Sequence, residues 1–398
     1  MSDVPIVGGF VVVEGDRVVS VGRTPDGGAI GLGRVALLPG LVNAHTHLEL
    51  SYLRGAIDPS ARFVDWVRPM LAARRALVDR AAPAVLTAAR RAIEEARATG
   101  TVLVGDVANS LETVPLLREA GMRAQVFHEL IGFSPGDADA LVAEARRAVD
   151  SGAASDDDVR VSLAPHAPYS VSPELFAAIR RDLNARPHTV STVHLGESSA
   201  EVELLTSGTG DWRDLLEDLG VWRDTWRVPG VSPVEYLLSL GFLDRSVLVV
   251  HGVLFENADL DRLRAMGATI VSCPRSNRHV GVGSPPLDAF YARGIDVAFG
   301  TDSLASVADL NVFAELAEAR RIAPRVGARA LLRSATVVAA RALGFGADYG
   351  SIEPGKRAAL IAVRVPEGVS DVEEYLVSGI APDAVTQIDA PFVRGLHA

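Results

Sequence analysis

Eight short, almost unbroken apolar runs alternate with helical segments between residues 41 and 303, and this alternation restricts the fold more than any other feature. The runs are LVNAHTH, TVLVGDVA, RAQVFHEL, VRVSLAPH, TVSTVHLGE, SVLVVHGV, ATIVSCPRS and DVAFGTDS. A strand with one face in water alternates apolar and polar residues, whereas a strand buried on both faces is apolar throughout. The intervening segments, such as RAAPAVLTAARRAIEEARATG, carry the Ala/Arg/Glu/Leu composition of helices. Doubly buried strands alternating with helices over about 300 residues predict a closed (β/α)8 TIM barrel.

The flanks differ. GGFVVVEGDRVVSVG and GRVALLPG read as short strands with turns, and GSIEPGKRAALIAVRV returns to that pattern after Leu343. Residues 1–38 and 349–398 are therefore expected to form a small β-sandwich, with the barrel spanning 39–348. TSGTGDWRDLLEDLGVWRDTWRVPGVSP, after the fifth run, is a long Gly- and Trp-punctuated insertion suited to covering a substrate.

With 48% hydrophobic and 22% charged residues, the chain has an ordinary globular composition. A net charge of −11 argues against nucleic acid as a partner. Cys273 is the only cysteine, which rules out an internal disulfide and a cysteine-built metal site, and it reads as a small core residue. The opening MSDVPIVGGFVVVEGDR lacks a basic segment followed by a long apolar one, and no later run spans a membrane. A cytoplasmic enzyme without a membrane partner is the expectation.

The polar exceptions within the apolar runs all fall at strand ends. His45 and His47 close the first run, His166 the fourth, His194 the fifth, His251 the sixth and Asp302 the eighth. Barrel enzymes build their sites at the C-terminal ends of the strands, so these side chains converge on one mouth. Residues i and i+2 of a strand point the same way, so His45 and His47 face one centre together. A single histidine at a strand end is usually a packed core residue; several ending separate strands of one barrel are not. Imidazole nitrogens with a carboxylate oxygen suit Zn²⁺ or Fe²⁺, and His45, His47, His194 and Asp302 are the expected ligands. Glu197, three residues after His194, is the expected proton shuttle, and His251 a hydrogen-bonding partner of the reacting centre. His128 and Glu129, ending the third run, read as structural or as support behind the site.

The segments PGLVNAHTHLE (39–49), PHAPYSVSP (165–173), HLGES (194–198), HG (251–252), CPRSN (273–277) and GTDSLAS (300–306) together resemble the amidohydrolase superfamily, in its deaminase and chlorohydrolase branch. The resemblance runs over essentially the whole chain, GSIEPGKRA included. Ala359 stands where relatives commonly carry aspartate after GKRA, in the expected sandwich and away from any chemistry. The resemblance implies one bound metal ion, Glu197 moving protons, Asp302 taking a proton from water, His251 assisting, and His166 in the purine or ribose pocket. Binuclear members bridge two ions with a carboxylated lysine on a barrel strand. Lys356 is the only lysine here and lies outside the barrel strands, which predicts one divalent ion per chain, Zn²⁺ before Fe²⁺.

Within the branch, CPRSN with HLGES and GTDSLASVADL looks most like aminodeoxyfutalosine deaminases. The implied reaction is hydrolysis of 6-amino-6-deoxyfutalosine, an adenine nucleoside with a carboxylated aromatic group on its 5′ side, releasing ammonia in menaquinone biosynthesis. Arg275 is then a candidate for the substrate carboxylate, beside the alternative of a structural ion pair. Deamination of adenosine, S-adenosylhomocysteine, guanine-type or cytosine-type substrates, dechlorination of triazines and hydrolysis of an amide stay open. A non-catalytic scaffold is disfavoured because no ligand or acid–base residue is missing. The partners expected are a purine-type small molecule and water, with a homodimer left open.

Overall fold

The computed structural model describes residues 5–23, 29–77, 79–152, 156 and 158–388. Thirteen strands are formed among them: β1 (Phe10–Glu14), β2 (Arg17–Gly22), β3 (Val35–Pro39), β4 (Leu41–Thr46), β5 (Thr101–Ala108), β6 (Arg123–Leu130), β7 (Val159–Pro165), β8 (Ser191–Leu195), β9 (Val247–His251), β10 (Thr269–Ser272), β11 (Asp296–Phe299), β12 (Leu360–Arg364) and β13 (Val385–Ile388). Each of the eight apolar runs is one of β4 to β11.

These eight strands are parallel and hydrogen-bonded in two sets of four, β4-β5-β6-β7 and β8-β9-β10-β11. The sets meet at two seams that complete a barrel. At one, His194 N donates to His166 O at 2.9 Å and Ser191 Oγ to Leu163 O at 2.9 Å. At the other, Asp302 N donates to His45 O at 3.0 Å, and buried Asn43 bonds Thr301 twice, at 2.8 and 3.0 Å. The close approach of the second seam explains Gly300: a Cβ there would lie 2.6 Å from His45 Cβ and 2.7 Å from His45 O. The strands are apolar throughout because alternate residues serve two cores. Val42, Leu103, Phe127, Val250 and Val271 pack into one, closed by Ala339, Ala340 and Leu343. Leu41, Val104, Val126, Val249 and Ile270 pack into the other, against the surrounding helices. Cys273 is fully buried in the first core, as expected of a small apolar residue.

The flanking strands make the sandwich. β3, β12 and β13 form an antiparallel sheet, and the β1–β2 hairpin packs on it through Val11 against Leu360, Ala362 and Ile388. Lys356 belongs to this layer; its Nζ donates to Gly346 O at 2.9 Å. The ends of the expected sandwich, residues 1–4 and 389–398, lie outside the described residues. No helix among the described residues is long and apolar enough to cross a membrane.

The expectation that Arg275 faces the substrate is corrected by the fold. Arg275 sits on the short helix Pro274–His279 and turns away from the barrel mouth toward helix Val312–Ile322. Its Nε donates to Glu315 Oε1 at 2.6 Å, one Nη to Asp309 Oδ1 at 2.8 Å and the other to Asp309 O at 2.8 Å. Burial alone works against the cation, but Glu315 and Asp309 hold its pKa above the ordinary arginine value. All three of its guanidinium nitrogens are engaged by these partners, and Arg275 is not among the residues lining the cavity at the barrel mouth. It is a clamp between two helices. Since Glu315 is completely buried, Arg275→Ala leaves an unpaired carboxylate inside and is expected to destabilise the fold by about 3–5 kcal/mol. Chemical unfolding measures this, and a loss within about 0.5 kcal/mol, the range of ordinary surface substitutions, contradicts the clamp.

Candidate active site

At the C-terminal end of the barrel the strand-end side chains meet at the floor of a cavity of about 790 Å³. His45 is the penultimate residue of β4, and His47 directly follows the strand. Their ring centroids lie 4.9 Å apart, and His194 of β8 lies 5.0 Å from His45 and 5.5 Å from His47. Candidate ligand atoms of His45, His47 and His194 fall within 4.8 Å of one another, as do those of His45, His251 and Asp302. Asp302 Oδ1 is 3.4 Å from His47 Nε2 and 3.7 Å from His45 Nε2. The four expected ligands are thus brought to one point, and His251 comes as close as they do.

Hydrogen bonds away from the centre set which nitrogen each ring presents. His194 Nδ1 lies 3.0 Å from His166 O, and His251 Nδ1 lies 2.9 Å from Asn277 Oδ1. Both nitrogens must donate to these oxygens, which leaves each Nε2 lone pair free toward the centre. Asp302 is held likewise: Ser276 Oγ donates to Oδ2 at 2.6 Å and Ser303 N to Oδ1 at 2.8 Å. His251 and Asp302 have φ of 76° and 63°, left-handed values that non-glycine residues adopt only where surroundings enforce them.

The electrostatics suit a cation. Burial, reinforced by neighbouring imidazoles for His47 and by the Arg74 charge and then imidazoles for His166, pushes both down to about 3; burial takes His251 to about 4, and burial with neighbouring imidazoles holds His194 well below its ordinary value. These rings are neutral at physiological pH, with lone pairs available. His45 is completely buried, and neither of its ring nitrogens has a hydrogen-bond partner among the described residues. A polar group in that state is costly unless something else satisfies it. His45, with the imidazoles of His47 and His194 and the Asp302 carboxylate beside it, fits a divalent ion of the zinc type. Lys356 contributes nothing here.

Glu197 lies beside this centre, its Oε1 3.5 Å from His251 Nε2. Burial, then the charges of Asp302 and Glu201, raise its pKa well above the carboxylate range. Its loop is held by Glu201, a residue the motif reading passed over, whose carboxylate accepts from Gly196 N and Glu197 N at 2.9 Å each. Burial favours the protonated form of Asp302, but the surrounding imidazoles, His45 foremost, outweigh it and hold the group ionised. His166 lines the cavity, with Nδ1 2.6 Å from Ser170 Oγ.

The two residues ending the third run separate. His128 is buried against Ala108 O at 3.4 Å and does not line the cavity, whereas Glu129 does. Sequence reasoning also missed Arg74, which lines the cavity from helix Phe63–Ala76 and donates to Asn109 Oδ1 at 2.6 Å. Much of the remaining wall is aromatic or apolar: Phe63, Trp66, Met70, Phe133, Tyr169 and Trp212. The insertion expected to cover a substrate folds partly as helix Asp211–Asp218, and its Trp212 stacks on Tyr169 with ring centroids 3.9 Å apart.

The profile of the Amidohydrolase family matches residues 36–393. A 5-methylthioadenosine/S-adenosylhomocysteine deaminase of Halobacterium salinarum is 31% identical over 379 residues, covering 91% of this chain and 81% of that protein. An aminodeoxyfutalosine deaminase of Deinococcus radiodurans is 30% identical over 357 residues, covering 84% of this chain and 81% of its own. Among solved structures, a zinc-bound adenosine deaminase from Xanthomonas campestris superposes with a TM-score of 0.79 at 27% identity, covering 96% of this chain and 86% of that one. The barrel, the mouth that carries its polar residues and the match over nearly the whole length agree: this chain belongs to the amidohydrolase family.

Proposed function

We propose that the protein is a metal-dependent deaminase of 6-aminopurine nucleosides, with 6-amino-6-deoxyfutalosine as its substrate. The observation that carries the reading is the convergence of strand-end imidazoles and one carboxylate at the floor of an aromatic-walled cavity. Deamination is the chemistry of the relatives named above, and a nucleoside with an aromatic 5′ substituent suits walls of this kind. Pockets of roughly 300–1,000 Å³ take ligands of that size.

His45, His47, His194 and Asp302 would hold the ion, which supplies a lowered water pKa and Lewis acidity at the purine C6. The chain's own residues do the rest. Glu197, whose burial favours the protonated form, delivers its proton to the ring nitrogen next to C6 as water adds, so no charge builds on the ring. Asp302, held ionised, takes a proton from the attacking water. His251, fixed by Asn277, keeps its Nε2 on the reacting oxygen. The environments of Glu197 and Asp302 push the two carboxyl groups in opposite directions, the pattern that divides acid from base. Transfer of a proton to the amino group then lets ammonia leave. Arg74 and Arg75 at the cavity, rather than Arg275, are the cations within reach of a carboxylate on the 5′ side.

Active protein is expected to hold about one divalent ion per chain. Elemental analysis giving two tightly held ions contradicts the assigned ligand set. Glu197→Gln leaves that set intact and should retain the ion while kcat falls about 10²–10⁴-fold; near-normal kcat removes Glu197 from its role. In an ammonia-release assay, 6-amino-6-deoxyfutalosine should be turned over with a higher kcat/KM than adenosine, 5-methylthioadenosine or S-adenosylhomocysteine. Faster turnover of any of these three ends the substrate assignment and leaves the deaminase reading in place.

A further inference from the structure

Three carboxyl groups lie in the inner part of the cavity, and two of them, buried Glu197 and half-buried Asp302, have work in the reaction. The third, Glu129, has none. It stands at the end of β6 and is only 5% exposed. Its Oε2 accepts from Asn109 Nδ2 at 2.8 Å, and the same amide donates to Glu129 O at 3.1 Å, so the side chain is held in one orientation. Asn109 is fixed in turn by Arg74 at 2.6 Å and, through its backbone N, by Glu49 Oε1 at 3.1 Å. Glu129 Oε1 is buried and has no hydrogen-bond partner among the described residues. The nearest imidazole nitrogen, His194 Nδ1 at 3.6 Å, is too distant for a hydrogen bond and already donates to His166 O at 3.0 Å. A buried carboxyl oxygen with nothing to bond is costly to the fold and is kept where a ligand completes it.

We propose that the Glu129 carboxyl group hydrogen-bonds a sugar hydroxyl of the bound nucleoside; the assignment rests on the nucleoside reading above. Its placement selects the sugar over the reacting ring. Glu129 lies on the Nδ1 side of His194, whereas Nε2 of that ring faces the ligand centre, so its reach begins one imidazole farther from the chemistry. Its candidate ligand atom and those of His166 and His194 lie within 4.8 Å of one another, which places a group bonded to Glu129 beside His166. A purine with C6 at the centre carries its sugar on the far side of the bicyclic ring. Among the other polar residues lining the cavity, Ser170 is bonded to His166 and Arg74 to Asn109, while Asp137 and Glu144 sit at the exposed rim.

The test uses full-length, zinc-loaded protein carrying Glu197→Gln, so that ligands bind without being consumed. Calorimetry compares adenosine, 2′-deoxyadenosine and 3′-deoxyadenosine with Glu129 intact and as Glu129→Gln, Glu129→Leu and Glu129→Ala. With Glu129 intact, adenosine should bind roughly ten- to a hundredfold more tightly than at least one deoxy analogue, the worth of one well-made buried hydrogen bond. That preference should fall below about threefold in Glu129→Leu and Glu129→Ala and be largely kept in Glu129→Gln, whose amide still offers donor and acceptor. Zinc content and Tm should hold in all three, which a group supporting His194 or the fold would not allow. If Glu129→Ala fails to fold, the contrast between Leu and Gln decides. A preference that survives Glu129→Leu, or a loss of zinc that parallels the loss of binding, overturns the sugar assignment alone. Absence of binding by all three nucleosides with Glu129 intact overturns the nucleoside reading and this subsite with it.

Discussion

His45 is the residue on which the rest of the molecule depends. A completely buried imidazole with two unsatisfied nitrogens is unstable in isolation, and a protein retains one where a ligand shares the cost. Its backbone is equally constrained. His45 O accepts from Asp302 N at the seam that joins β4 to β11, and Gly300 leaves the room this approach needs. One residue therefore links closure of the barrel to assembly of the polar centre. The left-handed conformations of His251 and Asp302 follow from the same demand, because both strands must turn sharply as they end to aim their side chains back at the axis. Strain stored at such positions is sustained by the two apolar cores beneath them.

What the amino-acid pattern revealed, and what it hid, divides along physical lines. Strands buried on both faces must be apolar throughout, so all eight barrel strands were readable, and polar residues at their ends stood out against that background. His45, His47, His194, His251 and Asp302 were found in this way and meet at one point. Arg275 shows the opposite case. Its neighbours in CPRSN, Ser276 and Asn277, support Asp302 and His251 at 2.6 and 2.9 Å, while Arg275 itself turns outward. A helix starts at Pro274, and successive helical residues point about 100° apart, so adjacency in a motif does not imply a shared target. Arg74 escaped notice for a related reason, and Trp212 was legible only as one residue of a covering insertion. They reach the cavity from helices outside the barrel, where an arginine or tryptophan looks like any amphipathic surface residue until the packing is known.

The same division explains why reaction class and substrate are encoded so differently. The reacting centre is built on strand ends, whose directions are locked by the sheet; a change of one residue type there changes the chemistry. The cavity walls come from helix Phe63–Ala76, helix Asp211–Asp218 and the segment after β6. Those elements pack on the barrel but carry none of its hydrogen-bond ladder, so their side chains vary with little penalty to the fold. Where that wall meets the barrel, the Arg74–Asn109–Glu129 chain ends on β6 and is polar, partly buried and internally bonded. Such a network is expensive when one member is left unsatisfied. Its open end at Glu129 Oε1 marks the part of the wall where the shape of the ligand, rather than the stability of the fold, decides which residue is kept.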